Sequence, residues 1–210
     1  MRWIGTGRGP RLVAVLALAS CGPDGELDRP GEASSLRGVP VLDPVEVPPF
    51  ALDDTRGEIF EFRDRTAGRL TFLFFGYTSC PDICPVQLAN LAAALGDLPY
   101  SVRRQVAVVF VTTDPGRDTA DVLREYLDRF DRSFIGLTGS MEEVNAIQTG
   151  LRLPPSVVQE IAGDPAGRYL VGHASQILAI DGAGRVLAAY PAGIRQSDWR
   201  HDLPLLLESK

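Results

Sequence analysis

Two of the three cysteines in this 210-residue chain stand four apart in Phe74-Phe75-Gly76-Tyr77-Thr78-Ser79-Cys80-Pro81-Asp82-Ile83-Cys84-Pro85. A thiolate is both a nucleophile and a soft metal ligand, so a Cys-x3-Cys pair fits disulfide exchange or the binding of an ion such as Cu(I) or Zn(II). Two thiolates leave a mononuclear metal site one ligand short, and histidine is the usual supplement. The chain has two histidines. His201 lies in a polar stretch, residues 197–202, and reads as a solvated surface residue. His173 lies in Tyr169-Leu170-Val171-Gly172-His173-Ala174-Ser175, just before an apolar run. Taken singly, a buried cysteine is usually an inert small hydrophobe and a histidine beside an apolar strand a hydrogen-bonded core residue. Two cysteines in one proline-bounded turn shift the balance toward chemistry, and His173 is the candidate that joins them.

The flanking sequence places these side chains on definite elements. Residues 70–77 form an apolar, aromatic run short enough for an interior strand, and residues 86–95 carry apolar spacing of a helix packed on it. Cys84 is thus expected at the helix entrance, with Pro81 and Pro85 pushing the preceding residues away from the α region and Pro85 at the first helical position. A thiolate there meets the positive end of the helix dipole. Residues 176–181 read as a strand closing on the turn Asp181-Gly182-Ala183-Gly184, with residues 185–190 pairing back. Residues 106–113 are a second buried strand, and residues 119–130 an amphipathic helix capped by Asp118 or Thr119. A short strand over residues 134–137 precedes a helix with Ser140 as cap and Glu143 at the capping-box position. Residues 50–62 read as a small hairpin turning at Asp53-Asp54-Thr55-Arg56-Gly57, residues 154–168 as a loop, and the last helix as starting near Ser197 and interrupted or delayed by Pro204. Alternating strands and helices imply a parallel core, with the cysteine loop at the carboxyl end of a central strand, where open α/β sheets favour ligands.

Three separated motifs together resemble the Sco/SenC copper-binding proteins: residues 75–85, then Val111-Thr112-Thr113-Asp114-Pro115-Gly116-Arg117-Asp118-Thr119, then residues 169–175. The resemblance covers about residues 45–206. Members of that family are thioredoxin-like domains that help assemble the copper centre of cytochrome c oxidase, and their two motif cysteines and distal histidine bind copper. The likeness therefore implies copper as cofactor, Cys80, Cys84 and His173 as its ligands, and the copper-binding subunit of cytochrome c oxidase or another copper protein as partner. It also implies an α/β thioredoxin-like sandwich with a mixed central sheet and flanking helices, plus the N-terminal hairpin. Family members often carry an acidic residue before the histidine; this chain has Gly172. The competing reading is a thiol–disulfide oxidoreductase in which Cys80 and Cys84 are catalytic and reduce acceptor cysteines before metallation.

The N-terminus fits an exported lipoprotein. Arg2, Arg8 and Arg11 supply the positive region, residues 12–19 a short apolar one, and Leu18-Ala19-Ser20-Cys21 a lipobox-like end. Residues 1–20 are thus expected to be a signal peptide, residues 21–40, rich in Gly, Pro, Ser and charge, a flexible tether, and residues 41–210 one domain. The apolar stretch is too short to span a bilayer, so lipid on Cys21 would hold the protein on the extracytoplasmic side, in the periplasm or at the cell surface. Cleavage removes three arginines and no acids, taking the net charge from −6 to −9. So acidic a domain disfavours nucleic acid as a partner. With Cys21 acylated, the remaining thiols are the Cys80/Cys84 pair, which suits an oxidising compartment.

Overall fold

The computed structural model describes residues 35–163, 165 and 168–209. The expected signal peptide, Cys21 and the tether as far as Ser34 lie outside the described residues. The apolar run becomes β4 (Leu70–Gly76), every residue of which is buried. It pairs in parallel with β5 (Val106–Thr112) and antiparallel with β9 (Ile177–Ile180). Strands need continuous apolarity when both faces are covered, and successive β4 side chains divide between two cores. Phe72 and Phe74 join Leu88 and Leu91 of α2 (Ile83–Gly96), Leu123 and Tyr126 of α4 (Ala120–Asp128), and Trp199 and Leu203 of α6 (Gln196–Glu208). Leu73 and Phe75 face the other way, with Val144 and Ile147 of α5 (Met141–Gly150) and with Phe62 of α1 (Phe62–Thr66).

The full sheet has eight strands in the order β1-β10-β9-β4-β5-β6-β2-β3, mixed in direction. Here β1 is Val39–Pro40, β2 Ala51–Asp54, β3 Ile59–Glu61, β6 Ile135–Thr138 and β10 Val186–Tyr190. The expected N-terminal hairpin is β2–β3, paired from Ala51↔Glu61 to Asp53↔Ile59. Ser140 and Glu143 form the capping box of α5, and Thr119, not Asp118, caps α4.

Four departures from the sequence reading have physical causes. First, α2 begins at Ile83, so Cys84 lies inside its first turn and Pro85 is its third residue. First-turn N–H groups have no intrahelical acceptor, so a proline there forfeits no bond. Second, residues 154–168 are not all loop. Within them β7 (Val157–Glu160) pairs antiparallel with β8 (Tyr169–Gly172), which leads into His173. All four β7 residues are exposed, which leaves no inside/outside alternation to reveal the strand. Third, α6 runs through Pro204. A mid-helix proline costs about 3 kcal/mol, and burial of Trp199, Leu203 and Leu206 on both sides of it offsets that cost. The short α3 (Tyr100–Arg103) has no buried residue and gave no pattern to read.

Fourth, residues 37–40, assigned on sequence to the tether, are bonded to the domain. The Arg37 and Gly38 amides donate to the Asp202 carboxylate at 2.8 and 3.0 Å, and β1 pairs with β10. Asp202 is fully buried and also accepts from the Tyr190 hydroxyl at 2.8 Å. Burial alone would raise its pKa, yet the bonds from His201, Arg37, Gly38 and Tyr190 hold the carboxyl below its ordinary value. No helix among the described residues is long and apolar enough to cross a membrane.

Candidate metal centre

The cysteine loop begins where β4 ends. Thr113 extends the parallel pairing past β5, its amide donating to the Gly76 carbonyl at 2.7 Å. Gly76 is required by close approach: a Cβ there would sit 2.7 Å from Cys84 Sγ and 2.9 Å from the Phe110 ring. The loop itself is held from beneath by Asp118, which is fully buried. Its carboxylate accepts the Thr78 amide at 2.9 Å, the Thr78 hydroxyl at 2.6 Å and the Thr112 hydroxyl at 2.6 Å. A turn in which the Cys80 amide donates to the Tyr77 carbonyl at 3.1 Å then presents Cys80, partly exposed, above the buried Cys84.

His173 reaches the same place from β8. Its Nδ1 lies 2.9 Å from the Ala174 carbonyl. A carbonyl only accepts, so Nδ1 carries the proton and Nε2 keeps the lone pair that a metal would use. That Nε2 is 3.6 Å from Cys84 Sγ. The ring stands edge-on to Tyr77, with centroids 5.7 Å apart at 85°, and to Phe74 at 6.2 Å. The donor atoms of Cys80, Cys84 and His173 all fall within 4.8 Å of one another. Metal–sulfur and metal–nitrogen bonds of about 2.3 and 2.0 Å place donors of one shared ion roughly 3.5–4 Å apart. A small contraction of the trio therefore suffices.

The second motif grips both ligand-bearing segments. Asp118 and Thr113 hold the cysteine loop, while Asp114 accepts the Tyr169 hydroxyl at 2.8 Å. Arg117 pairs with Asp114, donates to the Tyr169 carbonyl at 3.2 Å and stacks on the Tyr169 ring at 3.6 Å. Tyr169 opens β8, so this latch fixes the strand that carries His173. From α2, the buried Gln87 donates to the Ser175 carbonyl just after the histidine. The motif resemblance marks residues 111–119 and 169–175 but assigns no role to Asp114, Tyr169 or Gln87. The available signal was a run of Thr and Asp side chains at the end of a wholly apolar strand, where polar groups must find partners.

The thiols are coupled. Hydrogen bonding from the Cys84 thiol, aided by His173 and by the Cys84 and Asp82 amides, pulls Cys80 well below the ordinary thiol range despite its partial burial. Interaction with Cys80 and burial push Cys84 up. The arrangement offers an accessible thiolate, a second sulfur behind it and an imidazole lone pair beside both. His201 lies elsewhere, on α6, with Nδ1 2.7 Å from Asp202.

The family model for SCO1/SenC matches residues 42–207. The chain belongs to the SCO1/SenC family. A protein of Stutzerimonas stutzeri whose name describes copper binding is 32% identical over 200 residues, covering 95% of this chain and 96% of that one. An SCO2-like protein of Rickettsia felis is 38% identical over 138 residues, 66% of this chain and 65% of that protein, a little under two thirds of the relative's length. The fold superposes on apo Sco1 of Thermus thermophilus with a TM-score of 0.71 at 30% identity, covering 84% of this chain and 99% of that one. Yeast Sco1 with copper bound gives 0.70 at 29% identity, covering 80% and 91%. The thioredoxin-like SCO1/SenC fold expected from the sequence is thus the fold of this chain, and copper is the metal held in related structures.

Proposed function

We propose that this SCO1/SenC chain is a copper carrier that holds one copper ion on Cys80 Sγ, Cys84 Sγ and His173 Nε2 and passes it to the copper-binding subunit of cytochrome c oxidase or another copper protein. The convergence of these three donors within 4.8 Å carries the reading. Support comes from the copper bound by the related yeast Sco1 and from donor chemistry: two sulfurs suit Cu(I), and one imidazole accommodates Cu(II) as well. Partial exposure of Cys80 gives an acceptor thiolate a point of attack, so the ion can be exchanged one ligand at a time, whereas a closed four-ligand site favours retention. Titration of the reduced chain with Cu(I) is expected to end at one equivalent, with sulfur and nitrogen neighbours in its X-ray absorption spectrum. A spectrum without a sulfur shell would exclude the site.

The lipobox-like residues 18–21 suit attachment of this carrier to a membrane surface, with a tether from Cys21 that ends before Arg37 and a working domain that includes residues 37–40. Intact-mass analysis of the membrane-extracted protein should find acylated Cys21 as the first residue. An unmodified N-terminus elsewhere would remove the anchor from the proposal.

A second reading is favoured by one observation, the accessible, acidified Cys80 thiol backed by a second free thiol. That pair fits a thiol–disulfide oxidoreductase: Cys80 attacks a disulfide, expelling one acceptor thiolate, and Cys84 then attacks Cys80 Sγ in the mixed disulfide, closing the Cys80–Cys84 disulfide and expelling the second acceptor thiolate.

A further inference from the structure

A cavity of about 300 Å³ lies away from the cysteine loop, between the β2–β3 turn, α1, α4 and the amino end of β6. The cysteine loop instead follows the carboxyl end of β4, two strands away in the sheet. Four arginines line the cavity, Arg56, Arg65, Arg124 and Arg132, against one carboxylate, Asp54. The whole chain carries a net charge of −6, so this concentration of positive charge runs against its overall balance.

Two of the four are already partnered. Arg56 pairs with Asp54 at 2.9 Å and Glu58 at 3.3 Å. Arg124 pairs with Asp128 at 2.9 Å and donates to the Phe134 carbonyl at 2.7 Å, but its buried Nη2 has no hydrogen-bond partner. Arg65 lies over the Phe60 ring at 4.9 Å. Among the described residues neither Arg65 nor Arg132 forms an ion pair. Two uncompensated guanidinium groups and two paired ones line a single concave site. Guanidinium forks match the paired oxygens of phosphate groups, and the volume sits at the small end of ligand sites.

We infer that this cavity binds a phosphate-bearing anion, either the phosphodiester headgroup of an anionic lipid or a free phosphate or pyrophosphate. A headgroup source would give the domain a second contact with the membrane, at the β6/β2 side of the sheet. That side is remote from β1, where the N-terminal segment joins the opposite edge.

The test uses the full chain with Cys21→Ser, so that no acyl chain masks the effect, and compares it with Arg65→Gln/Arg132→Gln. The control is Arg152→Gln/Arg195→Gln, which removes the same charge from well-exposed positions outside the cavity. Each protein is titrated with inorganic phosphate and pyrophosphate by thermal shift, then co-sedimented with phosphatidylcholine vesicles with or without phosphatidylglycerol. Copper uptake serves as the check on folding. Basic residues near an anionic surface contribute roughly fivefold each, so the cavity variant should lose about 25-fold in affinity for phosphatidylglycerol vesicles while the control keeps most of its binding. That result supports the cavity with a headgroup ligand. Stabilisation by phosphate or pyrophosphate that the cavity variant loses, without vesicle preference, supports it with a free ligand. Equal loss in cavity variant and control, or no response to any probe, overturns the inference. If the double variant fails to take up copper, the exposed Arg132→Gln alone, with an expected loss of about fivefold, decides the matter by the same criteria.

Discussion

Copper affinity is expected to fall by more than about 100-fold when Cys80 and Cys84 are both replaced by alanine, because even contacts outside a metal's ligand set cost about 10–100-fold. The change removes both soft donors and leaves one imidazole, which cannot hold Cu(I) against a competing chelator. Alanine suits this test better than serine. Cys84 is fully buried against Gly76 and Phe110, and a serine hydroxyl placed there would be a polar group needing a partner. The Asp118 contacts run to Thr78 and Thr112, so the loop keeps its support in the variant. Competition titration against a Cu(I) chelator, with circular dichroism to confirm the fold, measures the effect. Full copper occupancy in the doubly substituted protein would refute the assignment of these thiols as ligands.

The site was legible in the sequence to the extent that its chemistry is local. A cysteine pair between two prolines at the end of an apolar run announces itself, and the run's uninterrupted apolarity reflects a strand covered on both faces. His173 is 89 residues from Cys84. No periodicity connects them; the shortage of a third ligand and the motif resemblance pointed to the histidine, and the sheet brings it near by setting β9 beside β4. What stayed hidden was the support. Asp118 reads as a helix cap because Asp before Thr-Ala-Asp is ordinary cap composition, yet its carboxylate turns inward to Thr78 and Thr112 while Thr119 takes the cap. The β7–β8 hairpin stayed hidden for the opposite reason: exposed on β7 and short, it carries no burial pattern and is defined by pairing alone. Gly172 belongs to that hairpin. A Cβ there would meet the Gln159 amide at 2.7 Å, so in this chain Gln159 occupies the space that a side chain before the histidine would need.

His173→Ala separates the carrier from the reductase, since metal delivery needs the imidazole and disulfide exchange requires only the two thiols. The substitution removes a nitrogen donor 3.6 Å from Cys84 Sγ and leaves two sulfurs, enough to retain some Cu(I) but with altered coordination. The carrier model predicts at least about a tenfold weaker copper complex, a spectrum without the imidazole nitrogen and oxidase short of copper in cells grown at limiting copper; tenfold is the low end even for groups that do not touch the metal. The reductase model predicts near-normal oxidase copper, because attack by Cys80 and resolution by Cys84 proceed without a metal ligand. His173 also contributes to holding down the Cys80 pKa, behind the larger contribution of Cys84, so exchange rates with a model disulfide should be measured alongside oxidase copper. A strain with faulty exchange and faulty oxidase would otherwise be misread as a failed carrier. With protein level and membrane attachment matched to wild type, normal exchange together with copper-poor oxidase establishes delivery through His173. Wild-type oxidase copper in the same strain rejects the carrier and leaves the dithiol as the working group.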